Sequence, residues 1–101
     1  MQENFVSKTM LRIQRSANGK IVFTLSGRIE AEHVEELQRV FALETVDRLL
    51  VLDLKDVTLV DRDAVKYLAR REANGVELQN CPPYIREWIE RERGRNSRRN
   101  R

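Results

Sequence analysis

The chain has one cysteine, one histidine, two prolines and four glycines in 101 residues, and each scarcity excludes something. A lone Cys81 cannot form an internal disulfide, so the small secreted scaffolds held by paired cysteines are excluded. With His33 the single imidazole and Cys81 the single thiol, no ligand set has metal-site spacing, and neither a metal nor a cofactor is expected. The glycines form no phosphate-cradling loop, and no nucleophile stands at recognisable spacing from a base, so the sequence does not read as an enzyme. No apolar run approaches the ~20 residues that cross a bilayer, and membrane insertion is not expected. The start "MQENFVSKTM" lacks the basic head and apolar stretch of a secretory signal. The expected location is the cytoplasm.

What is present is a domain-sized chain with 41% hydrophobic and 35% charged residues, enough for one modest core. The net charge of +3 is unevenly placed. Arg93, Arg95, Arg98, Arg99 and Arg101 crowd the last nine residues, and setting them aside leaves 14 basic against 16 acidic side chains, a net of −2. The expected organisation is an N-terminal extension over 1–9, one domain over 10–92 and a disordered arginine-rich tail over 93–101, because "RGRNSRRNR" offers nothing apolar to offset the ordering entropy. Those five arginines are the candidate phosphate contacts if the chain is instead a small nucleic-acid- or ribosome-associated protein.

"MLRIQRSANGKIVFTLSG" reads as two strands around Asn18-Gly19, a dipeptide suited to a tight hairpin turn. Gly27 is expected to end the second strand. "EAEHVEELQRVFAL" places Val34, Leu37 and Phe41 at helical spacing, with His33 among glutamates on what reads as a solvated face. The apolar run "LLVLDL", residues 49–54, suits a central strand and at least a partly parallel sheet. A second helix from Asp63 carries Ala64, Val65, Leu68, Ala69 and Ala73 and stops near Asn74-Gly75. "VELQN" is a short strand. Pro82 and Pro83 open a last helix with Ile85, Trp88 and Ile89 facing inward. Cys81 before Pro82 reads as packing rather than haem ligation. The expected fold is α/β, a mixed β-sheet opened by an antiparallel hairpin with helices packed on it, in the order β-β-α-β-α-β-α.

The segments "FTLSGRIEAEHVEELQ", "LLVLDLKDVTLVDRDAVKYL" and "GVELQNCPPYIREWI" together resemble the STAS domains, the anti-sigma-factor antagonist family of small bacterial binding modules. The resemblance spans roughly residues 10–92. Its most specific part is "LDLKDVTLVDRDAV", similar to a family segment that ends in Asp-Ser-Ser-Gly-Leu. Asp61 matches the aspartate, Arg62 the first serine, Asp63 the serine that a partner kinase phosphorylates, Ala64 the glycine and Val65 the leucine. The resemblance implies a non-enzymatic signalling or transcription-control module whose partner is a protein such as an anti-sigma factor or a switch kinase. Contact through Asp56, Thr58, Asp61, Arg62, Asp63, Lys66 and Arg70 is implied. Because an aspartate stands where the phosphorylated serine is expected, no phosphorylation site is implied in the loop, and Thr58 is the only hydroxyl close by. A weaker reading places a nucleotide or lipid near the same loop. On local helix physics Asp61 reads as an N-cap, whereas Asp63 serves equally as a dipole complement or a partner contact.

Overall fold

The computed structural model describes residues 2–6, 11–43 and 50–99. Of the sequence expectations, Leu49, residues 7–10 and Arg101 lie outside them. Strands β2 (Leu11–Asn18) and β3 (Lys20–Ile29) form the expected antiparallel hairpin, turning at Gly19 with φ of +88°. They are preceded by a strand that the sequence did not suggest. Gln2–Val6 of the expected extension forms β1, antiparallel to β2.

Helix α1 (Ala31–Ala42) carries the chain from β3 to β4 (Leu50–Val60), and α2 (Arg62–Ala73) carries it from β4 to β5 (Glu77–Gln79). Both connections join parallel neighbours in a five-stranded sheet of order β1-β2-β3-β4-β5. The sheet is mixed, as expected, with one more strand.

Two of its strands run further than expected, for a single reason. Gly27 does not end β3. It takes φ of +93°, and the β3–β4 pairing shifts register between Thr24 and Ser26 and again between Gly27 and Arg28. Each shift gives β4 one extra residue. Leu54, Val57 and Val60 are therefore all buried at a spacing of three, where an unbroken strand would bury every second residue. Residues 55–60, which read as a loop, belong to the strand.

One core runs through the domain. Leu11 and Ile13 of β2, Phe23, Leu25 and Ile29 of β3, and Leu50, Leu52 and Leu54 of β4 meet Leu37, Val40 and Phe41 of α1 and Ala64, Val65 and Leu68 of α2. Ile85 and Ile89 of α3 complete it, and Trp88 and Cys81 pack partly buried against it, in line with their reading as packing residues. Tyr67 is buried and Ala73 exposed, the reverse of the periodic reading. The third helix, α3 (Pro83–Arg99), also exceeds expectation, since helical backbone continues through Arg99. Arginine is a good helix former, and Arg93 is bonded to Glu72 of α2 at 3.1 Å, so residue 93 is tied to the domain.

Candidate functional site

Helices α1 and α2 begin side by side, each separated from its strand by a single residue, because β3 and β4 are parallel and finish level at Ile29 and Val60. The backbone N–H of Asp61 donates to the Ile29 carbonyl at 3.2 Å, the last rung between the two chains. Asp61 is then extended (φ −109°, ψ −179°) and is the N-cap of α2. Its Oδ1 accepts from the Ala64 N–H at 3.0 Å, as a cap should. Its Oδ2 accepts from the Ala31 N–H, the first residue of α1, at 2.7 Å. One carboxylate thus joins the positive ends of two helix dipoles. The sequence indicated the first of these bonds and gave no sign of the second.

At the same end of α1, Glu30 is the N-cap. Its backbone N–H donates to Nδ1 of His33 at 3.0 Å, and the His33 N–H donates to the Glu30 carbonyl at 2.7 Å. His33 is only 1% exposed, which corrects its reading as a solvated surface group. The imidazole folds back under the helix start to take an N–H that the helix cannot pair internally. Ligand atoms of Glu30, Glu32 and His33 lie within 4.8 Å of one another, the one such cluster among the described residues. One histidine nitrogen is already spent on the backbone, and a helix N-terminus disfavours a cation, so the cluster is better explained by capping than by metal binding.

The remaining expected contacts divide clearly. Asp63 and Lys66 stand exposed on the first turns of α2, and Asp56 is exposed on β4. None of the three side chains forms an ion pair or hydrogen bond among the described residues. Thr58 is engaged: its Oγ1 donates to the Gly27 carbonyl at 3.1 Å, and its own carbonyl accepts from the Tyr84 hydroxyl at 2.9 Å. Arg62 is exposed, with Nε 3.7 Å from Oε2 of Glu92 on α3. Glu92 is 3% exposed, a buried carboxylate that the sequence placed at the margin of the domain. Arg70 lies two turns further along α2, over the Tyr67 ring, away from the helix start.

Beside α2, a charge network fixes α3. Arg86 bonds Glu72 through both guanidinium arms at 3.0 and 2.9 Å and reaches Glu90 at 3.0 Å. The hydrogen bond from Arg86 is the main reason the Glu72 carboxyl is held below the ordinary glutamate range, and the same bond pushes the Arg86 pKa further up. Burial pushes the Cys81 thiol up, which suits a packed cysteine rather than a reactive one. Of the tail arginines, Arg93 is committed to Glu72. Arg95, Arg98 and Arg99 continue the helical backbone of α3.

The architecture is therefore an α/β domain in which two helices start side by side at the carboxyl ends of parallel strands. No protein-family model matches the chain, and no curated protein matches it. Among solved structures it is similar to the STAS domain of an antisigma-factor antagonist from Rhodobacter sphaeroides, with a TM-score of 0.57 at 13% sequence identity, covering 73% of this chain and 90% of that one. The chain has the STAS fold, at a large sequence distance. Among the described residues no helix is long and apolar enough to cross a membrane.

Proposed function

We propose that this chain is a non-enzymatic protein-binding module of the anti-sigma-factor-antagonist type, acting in bacterial signalling or transcription control in the cytoplasm. It binds its partner through the start and exposed face of α2, with serine phosphorylation control lost from the loop. The observation that carries this reading is the contrast between two neighbouring aspartates. Asp61 is consumed in holding the frame, while the Asp63 side chain is exposed and forms no ion pair or hydrogen bond among the described residues. A carboxylate that does nothing for the fold beyond a dipole term of ~0.3–1 kcal/mol is free to meet a basic group on a partner. As a fixed single charge it mimics only part of a phosphoserine.

The test is quantitative capture with the full chain, followed by titration of the captured protein against variants. Asp63→Ser should leave the fold within ~1 kcal/mol of the parent and weaken association by about 2 kcal/mol, near 30-fold, if the contact is central. Lys66→Glu should weaken it too, while Arg91→Glu, on α3, should not. Unchanged affinity for Asp63→Ser and Lys66→Glu would refute the assigned face.

A further inference from the structure

Helix α3 changes character at Glu92. Up to that point it is held by burial and pairing: Ile85, Ile89 and Glu92 are buried, Arg86 and Arg93 stand 2.9 and 3.1 Å from Glu72, and Arg91 stands 3.9 Å from Glu87. After Glu92 the sequence holds five arginines, no acidic residue, no lysine and no apolar side chain. Such a composition reads as a disordered tail, yet helical backbone continues through Arg99. At Gly94 that helix already runs in the open, since a Cβ there would meet nothing within 4 Å among the described residues.

The helical register does what a disordered tail cannot. Positions 95, 98 and 99 are related as i, i+3 and i+4 and share one side of α3, whereas Arg93 belongs to the side turned to Glu72. Three arginine positions are thus gathered within about 6 Å of helix rise. Like charges at these spacings work against a helix, and a polyanion laid along that side would relieve them. The rest of the chain, with 14 basic against 16 acidic side chains, offers no general attraction, so any pull on a polyanion is local to this end. A helix that lies in a membrane surface also needs apolar side chains to bury there, and residues 90–101 have none. A nucleic-acid duplex needs only cations: it carries one phosphate charge per ~1.7 Å of its axis, and guanidinium groups bind phosphate oxygens two at a time.

We propose that the carboxyl end of α3 binds duplex nucleic acid through the phosphodiester backbone, without reading its sequence. Positions 95, 98 and 99 supply the cations. None of the residues assigned to the protein partner on α2 is used.

The experiment is a fluorescence-anisotropy titration of the full chain against a labelled DNA duplex of about 20 base pairs, and against the RNA duplex of the same sequence, at low salt. Binding to both should saturate with a Kd below about 100 μM, and log K should fall against log salt with a slope of about −3, as for three phosphate contacts. A duplex of unrelated sequence should bind within about two-fold. The triple variant Arg95→Gln, Arg98→Gln, Arg99→Gln should bind about ten-fold or more weakly with a slope near zero, at an unchanged melting temperature. Arg12→Gln, at an exposed position on β2, should leave binding within about two-fold. The titration contains no protein partner, so its failure leaves the reading of α2 standing. No saturation of either duplex, an undiminished slope in the triple variant, an equal loss from Arg12→Gln, or equally tight binding to vesicles of phosphatidylserine and phosphatidylcholine would each overturn the proposal.

Discussion

Replacing Asp61 tests the frame of the site, because two bonds of known geometry depend on one side chain. In Asp61→Ala the Oδ1 bond to Ala64 is lost, and loss of an N-cap costs about 0.5–2 kcal/mol. The Oδ2 bond to Ala31 is lost as well. A hydrogen bond to a charged group contributes about 1.5–3 kcal/mol when its partner is left dry. Ala31 is exposed, so water can take its N–H, and a reduction to about 1 kcal/mol is appropriate. Together the two terms predict a loss of about 1.5–3 kcal/mol. For a domain of this size that corresponds to a melting temperature lower by roughly 6–24 °C. Asp61→Ser separates the terms: its hydroxyl can still cap α2 but cannot also reach α1, so it should lose only about 1 kcal/mol. Asp61→Asn should fall nearer to alanine, since its single oxygen serves one helix while its amide directs donors at the other. Urea melts with unchanged slope would report these differences as stability alone. A serine variant as stable as the parent would refute the two-helix bridge.

Three further outcomes follow from the geometry. Glu72→Gln should cost about 1–2 kcal/mol near neutral pH, between the values for exposed and buried charged pairs. Because the Glu72 pKa is depressed in the fold, its contribution is present above the ordinary glutamate range and is lost as pH falls through the depressed value. The gap between parent and variant should therefore close in acid, and a gap constant with pH would refute the assignment. Gly27→Ala, at φ of +93°, should cost roughly 1–2 kcal/mol of backbone strain in a denaturant melt, and a neutral result would mean that β3 passes this point without the bulge. His33→Leu preserves bulk but leaves the Glu30 N–H without its acceptor, for about 1–3 kcal/mol. A variant as stable as the parent in the same melt would contradict the capping role.

The parts of the fold legible in the sequence were those with clean periodicity. The hairpin at Asn18-Gly19, the α1 stripe of Leu37 and Phe41 and the α2 start at Asp61 all carried local signals that tertiary structure did not override. The second half of β4 was not legible, because its inward residues Leu54, Val57 and Val60 are three apart, a spacing that two register shifts create and that no strand template contains. His33 was misread because its neighbours Glu32 and Glu35 are exposed, and the composition of a helix face says nothing about a side chain folding back to cap its own terminus. The second bond of Asp61 joins residues thirty positions apart, which only a parallel β3–β4 pair brings together. Residue 93 reads as tail by composition, yet a single carboxylate on α2 holds it.

The bridging carboxylate has a consequence for how such a protein can change over generations. Asp61 has no near substitute, since a longer side chain would misplace both oxygens and a shorter or amidated one supplies only one acceptor. Arg62 and Asp63 follow it directly, are exposed, and owe the helix start little. Mutations there can alter charge and size without disturbing the position of either helix. A lineage could in this way exchange one recognised surface for another by single steps, with Asp61 fixed while its two neighbours diverge.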